Sequence, residues 1–295
     1  MNLRKLLVFC VGVTLAGWNN AQALAQDEGD VSQETSVLLR MARDSAVVGH
    51  YRFSVREHQQ LVFDIPADDP RSALLESATI PKEKTIEVAA TLVSTPTQPE
   101  AERRYIAYWL GYKIEGDEVR GLTPLQWDSI FRKAGRRAIV RFTPQGRTRG
   151  VEVGSDAVRP VGQALASTLL GLATSLPFDS VSPGSRWQDR VAIAFDAPDG
   201  SRLIATVQVT YRLREFREAI DGLIARIEFD GEPVPSGAEN AAITGRYFGE
   251  SYFAVTQGRY NQVMARANLE VEWKDASGLP PSRSMVEWQG QITRR

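Results

Sequence analysis

The sequence predicts a mainly β (α+β) fold, a long antiparallel curved sheet or partial barrel with two or three covering helices. Three observations carry this prediction. From Arg137 onward, apolar and polar residues alternate over long runs, as in Val207, Val209, Tyr211 and Leu213 against Gln208, Thr210 and Arg212. Short clusters of Pro, Asp and Gly separate those runs, and such clusters make tight turns. Helical spacing of apolar residues is clear only near 123–135 and 160–176.

The elements follow in chain order. Arg4 and Lys5 precede an apolar run from Leu6 to Trp18, and Ala23-Leu24-Ala25 supplies small residues for cleavage after Ala25, the pattern of a secretory signal peptide over 1–25. Its removal takes away Cys10, the only cysteine, so disulfides, thiolate metal sites and cysteine nucleophiles are excluded from the mature chain. It also removes two positive charges, which shifts the formal net charge from −1 to −3 and argues against nucleic acid as a partner. Residues 26–35 are polar and acidic and predict a disordered leader.

A single β-rich domain is expected over 36–293, with two halves joined near 154–187. Val37 to Met41 fits a strand or a short helix, whereas Tyr51, Phe53 and Val55 alternate as a strand that Leu61 to Ile65 continues. Pro66 to Pro81 reads as a loop, and Ile86, Val88 and Leu92 resume a strand. Over 99–114 the aromatic residues satisfy helical spacing and strict alternation equally. Thr123 as N-cap, Pro124 behind it and Gln126 three residues on form a capping box, with Trp127, Ile130 and Phe131 on one face and Gly135 as terminator.

Thr143-Pro144-Gln145-Gly146, Pro198-Asp199-Gly200, Asp221-Gly222 and Gln257-Gly258 each predict a turn between long strands, and the last strand runs from Met285 to Ile292. Pro160 to Leu176 stands apart, because it contains no charge and aligns Val161, Leu165, Leu169, Leu172 and Leu176 on one helical stripe. Such a helix either packs permanently against a sheet or acts as a lid over an apolar cavity.

Catalytic patterns are lacking. His50 and His58 lack the spacing of a zinc motif, and Gly249-Glu250-Ser251-Tyr252-Phe253 has Phe253 where a nucleophile elbow needs glycine, so no metal, cofactor or catalytic residue is assigned. Between Arg132 and Arg149 seven basic residues occur with no acid. Arg136, Arg137, Arg141, Arg147 and Arg149 are therefore candidates to contact an anionic envelope component, with a solvated face as the plainer alternative.

Leu176-Pro177-Phe178, Val181, Pro183-Gly184-Ser185 and Trp187 form a junction that resembles one in a family of uncharacterised exported bacterial β proteins, a domain of unknown function. The expected outline of curved sheet and helices is also similar to periplasmic lipoprotein carriers, which implies a hydrophobic ligand beneath the helices. Together these lead to an expected function: a non-catalytic protein of the periplasm or cell envelope holding a lipid or other hydrophobic molecule. Its expected ligand-binding residues are Leu165, Leu169, Leu172, Trp127 and Trp187. The alternatives are an envelope interaction or assembly module, and a hydrolase without a recognisable motif.

Overall fold

The computed structural model of the 295-residue chain describes residues 36–42, 48–65, 68–71, 81–94, 102–116, 137–153, 174–197, 202–220, 222–235, 241–273 and 281–295, with positions 75, 79, 123, 125, 126, 129, 132 and 172 between them. The predicted signal peptide and leader lie outside these residues.

Eleven strands are described: β1 (Val48–Phe63), β2 (Lys82–Ser94), β3 (Arg103–Gly116), β4 (Arg137–Phe142), β5 (Thr148–Val153), β6 (Arg186–Asp196), β7 (Arg202–Ala219), β8 (Gly222–Pro233), β9 (Ala241–Ala254), β10 (Arg259–Trp273) and β11 (Ser282–Arg294). They form one antiparallel sheet in the order β5-β4-β3-β2-β1-β11-β10-β9-β8-β7-β6. The chain meanders outward from β1 to β5, then returns from the far edge at β6 to β11. There β11 pairs with β1 in unbroken register from Tyr51↔Arg294 to Phe63↔Ser282.

Alternation fixes which face each strand buries. In β7, Ala205, Val207, Val209, Tyr211 and Leu213 are buried; in β10, Val263, Ala265, Ala267, Leu269 and Val271 are buried. Because direct cross-strand partners share a face, a slip of one residue would turn each such set to water. Each large apolar side chain so buried contributes roughly 1.5–3 kcal/mol.

Within 99–114, where the sequence fitted helix and strand alike, residues 103–114 are strand, and β3 shows why both patterns fitted. A register shift opposite Ala89 and Ala90 inserts an extra residue, so that buried Tyr105 and Tyr112, which pairs with buried Val88, share a face although seven residues apart. A bulge in a strand has thus imitated a helical period. Val37 to Met41 joins neither the sheet nor a helix. Val37 exchanges backbone hydrogen bonds of 2.8 and 2.9 Å with Val181, and the chain continues irregularly to Ala42.

The covering helices are not supported among the described residues, where every element is a strand. Thr123 and Gln126 do make the predicted capping pair, backbone N–H of Thr123 to Gln126 Oε1 at 2.8 Å and backbone N–H of Gln126 to Thr123 Oγ1 at 3.3 Å. Most of 160–176 lies outside the description. Its predicted end is corrected, since Thr174 to Leu176 are not helical: the Leu176 amide donates to the Gln145 carbonyl at 2.7 Å, and Pro177 disfavours a helical residue before it.

Two irregular segments, 36–42 and 174–181, cross the apolar face as straps. The first buries Leu39 and Met41, and its Met41 and Ala42 amides donate to the carbonyls of Pro144 (2.9 Å) and Gly258 (2.7 Å). Arg40 ties the straps together by donating to the Pro177 and Phe178 carbonyls. The sheet edges are not hydrogen-bonded to each other, yet Arg147 beside β5 pairs with Asp189 of β6, whose side chain is only 6% exposed. The sheet therefore curls around the straps as an open half-barrel.

Gly258 sits at φ 58°, and a Cβ there would lie 2.5 Å from the Ala42 backbone nitrogen. Gly258→Ala is expected to cost roughly 1–3 kcal/mol, combining left-handed strain with a backbone clash. Urea unfolding measures that cost. Faster hydrogen exchange at the Ala42 amide than at mid-strand amides would locate it in the strap.

Candidate functional site: an apolar crevice under two straps

Where the straps meet the sheet, side chains from both halves surround an apolar crevice. Tyr51 and Phe53 come from β1, Tyr105 from β3, Phe142 from β4, Tyr260 from β10, and Leu172 covers them. Alternation brings Tyr51 and Phe53 inward together, and their rings lie 6.1 Å apart. Tyr105 meets Phe142 edge-on at 5.7 Å, and Tyr260 meets Phe253 edge-on at 5.1 Å. Edge-to-face contacts of this kind add stabilisation beyond burial alone. The enclosed space amounts to about 50 Å³.

Two tyrosine hydroxyls of the crevice bond to its walls, whereas among the described residues the buried Thr148 and Thr174 hydroxyls, which also line it, find no hydrogen-bond partner. Tyr260 Oη donates to the Thr174 carbonyl at 2.7 Å, and Tyr105 Oη to the Ala42 carbonyl at 3.2 Å. Arg259 is the charged lining residue, and its Nε–H donates to Gln257 Oε1 at 2.8 Å. Burial raises the Tyr51 hydroxyl pKa, against the opposing pull of Arg259 and Arg294. Burial also holds the Tyr260 hydroxyl well above the usual tyrosine range. Such a site offers apolar surface with one charged side chain, Arg259, among its described lining residues.

Beyond the crevice, the apolar face is filled by the protein itself. Trp187, Tyr211, Phe229, Tyr247 and Trp288 form a ladder across the sheet, with successive ring centroids 5.7, 5.7, 5.4 and 6.5 Å apart. Glycine makes room for it. A Cβ on Gly249 would lie 2.6 Å from the Phe229 ring, and one on Gly290 would strike Trp288 and Leu172.

Of the residues expected to bind ligand, Leu172 is buried in the crevice wall, and Trp187 stacks on Tyr211 while its Nε1–H donates to the Ser175 carbonyl at 2.7 Å. Leu165, Leu169 and Trp127 lie outside the described residues. Of the arginines, Arg141 and Arg149 both lie near Glu102, whereas Arg147 reaches across to β6. Arg141 pairs with Glu152 at 2.7 Å, Arg147 with Asp189, Arg137 and Arg149 are exposed on β4 and β5, and Arg136 lies outside the described residues. Sequence reasoning missed Tyr51, Tyr105 and Tyr260 as lining residues. Their signal was an aromatic residue at an inward position near a strand end.

His50 and His58 point outward to Thr91 and Glu83, and among the described residues no group of three His, Cys, Asp or Glu is placed to hold a metal ion. Ser251 is buried in the middle of β9, not at a strand-to-helix turn. No described helix is long and apolar enough to cross a membrane.

Neither family models nor curated proteins match this sequence. Among solved structures, one titled "lipid-protein interactions in lipovitellin" is similar with a TM-score of 0.45 and 9% identity, over 83% of this chain and 25% of that one.

Burial, together with the neighbouring Tyr51, pushes the Tyr105 hydroxyl up to about 12 from 10.0. The folded state therefore holds this proton more tightly than the unfolded state. Stability is complete below the unfolded value and falls as pH rises from about 10 towards 12, by on the order of 2–3 kcal/mol for Tyr105 alone. Chemical denaturation across that range should show the decline, and in Tyr105→Phe it should be smaller.

Proposed function

We propose that this chain is a non-catalytic binding protein of the cell envelope, exported with cleavage after Ala25, whose apolar crevice holds the tail of a hydrophobic ligand such as a lipid. The observation that carries the proposal is the crevice itself. It is lined by aromatic and aliphatic side chains drawn from both halves of the sheet, and irregular strap segments, not sheet strands, form its cover.

Its size sets a condition. Ligand pockets typically enclose ~300–1,000 Å³, and about 50 Å³ admits only a chain end. A longer ligand must displace the first strap. That strap is held by four backbone hydrogen bonds, at Val37, Val181, Met41 and Ala42, by the Tyr105 hydroxyl and the Arg103 guanidinium, and by the two bonds from Arg40. At ~1 kcal/mol net each, their loss costs about 8 kcal/mol, and uncovering Leu39 and Met41 adds about 3–6 kcal/mol. A buried methylene returns ~0.8 kcal/mol, so about fourteen to eighteen of them offset the opening. Long acyl chains satisfy this condition and short ones do not.

The packed aromatic ladder favours a second reading, an assembly module in which the concave face is only a core. In that case β6, whose 11 residues end the sheet, is the element to pair with a partner.

Protein purified from the envelope fraction without detergent should carry a stoichiometric long-chain lipid, detected by mass spectrometry of an organic extract. Ile292 lines the crevice and is only half-buried. Ile292→Glu should lower retention at least tenfold with the fold preserved by circular dichroism. An empty extract from folded wild-type protein, together with no saturable uptake of a fluorescent long-chain fatty acid, would leave the assembly reading in its place.

A further inference from the structure

The polar face of the sheet is hollow as well. A twisted sheet is a saddle, so each of its faces is concave along one diagonal. Here Ala265 pairs with Gly249 on one side and Gly290 on the other, a row of small residues across β9, β10 and β11. Directly behind that row, on the polar face, lies a cleft of about 940 Å³ reaching from β3 to β9. A second cleft of about 840 Å³ extends from β9 to β6, and the two meet at Phe248, Gly249 and Glu250.

The combined trough crosses nine strands of the sheet, from β3 to β6. At roughly 4.8 Å per strand interval its contour is about 38 Å, the dimension of an extended polymer and not of a single small molecule.

Its lining selects the kind of polymer. Six arginines and seven carboxylates border the two clefts, so the trough has no strong field of either sign. Several of them neutralise each other directly, as Arg214 with Glu228 and Arg246 with Asp230, both at 2.5 Å. A polyanion or polycation gains little here. An extended peptide gains little either, because the interior strands of the floor already use their backbone groups in the ladder, and peptides dock best by adding a strand to an edge.

What the floor does present is dense uncharged hydrogen-bonding capacity. Gln262 and Gln289 each offer an amide with two donors and a carbonyl acceptor, Gln291 adds an amide whose Nε2 donates to Thr293 Oγ1 at 3.0 Å and keeps its second donor and its carbonyl, and Glu250 and Arg266 stand beside them. At the junction of the clefts, Phe248 presents a ring with the Arg246 guanidinium 5.5 Å from its centroid. An aromatic face carries partial negative charge and attracts the C–H bonds of a pyranose.

We propose that this trough is a binding site for an extended, uncharged oligosaccharide, with Phe248 as the stacking platform and Gln289 and Gln291 as hydroxyl-reading amides. The site is independent of the apolar crevice, which lies on the opposite face.

The test is calorimetric titration of the full mature chain with cellohexaose, maltohexaose and chitohexaose, and with the matching disaccharides. At least one hexasaccharide should bind saturably and at least tenfold more tightly than its disaccharide, with little dependence on salt. Phe248→Ala and the double variant Gln289→Ala/Gln291→Ala should each weaken binding at least tenfold, while Ile292→Glu in the crevice leaves it unchanged. Gln289 and Gln291 are exposed, so their variant reports on binding even where Phe248→Ala disturbs the strand. No saturable binding of any of the three hexasaccharides overturns the proposal. So does tighter, salt-sensitive binding of a heparin hexasaccharide, tighter binding of an extended peptide, or full retention of affinity in both trough variants.

Discussion

Three consecutive residues, Thr174, Ser175 and Leu176, hold this structure together. The Thr174 carbonyl accepts from Tyr260 in β10, the Ser175 carbonyl from the Trp187 indole at the edge in β6, and the Leu176 amide donates to Gln145 in the turn between β4 and β5, each at 2.7 Å. One irregular segment thus binds the middle of the sheet and both of its ends. The need for it is physical. A single antiparallel layer has an apolar face that must be covered, and a strap can cover it only if its own backbone groups find partners away from water. Aromatic residues with a polar tip meet that need, since they bury a ring and still satisfy a carbonyl.

That arrangement makes the fold cooperative over its whole length. The crevice takes residues from β1, β3 and β4 on one side and from β10 and β11 on the other, and the trough likewise draws on both halves. Neither half builds either site. Both wait on the β1–β11 pairing, which joins strands more than 200 residues apart in sequence, a contact that is slow to form because the intervening chain must first be ordered. Within that central region β1 also buries Glu57 against Lys84 of β2, 3.4 Å apart, beside the buried Gln59 on the same face. A buried pair of this kind contributes little net stability but penalises any register that separates it.

The strands were legible in the sequence because their signal is local. Val207 to Leu213 alternates wherever it is placed, and Pro144-Gln145-Gly146 makes a turn, with Gly146 at φ 83°, whatever lies around it. What was illegible depends on contacts distant in sequence. Nothing near Val37 announces Val181, and the bulge opposite Ala89 gave β3 a false helical period that only its neighbour β2 dispels. The partners of the arginines between 132 and 149 were illegible for the same reason. Counted along the chain they have no acid among them, yet Glu152 and Asp189 reach Arg141 and Arg147 through the fold.

The crevice and the trough were invisible for a further reason, which is that hollows are properties of curvature and not of composition. The outward residues of β10 and β11 look like an ordinary solvated face, and the inward tyrosines look like an ordinary core. Small residues decide the difference. At Gly249, Ala265 and Gly290 the sheet carries little side-chain volume on its inner face, so the aromatic ladder settles onto the backbone there, and the outer cleft lies behind the same row. The inner hollow is thereby filled by the protein's own rings, and the outer one is left open to solvent. The described domain gains its core from the first hollow and can expose a recognition surface in the second without weakening that core. The same three small residues account for both.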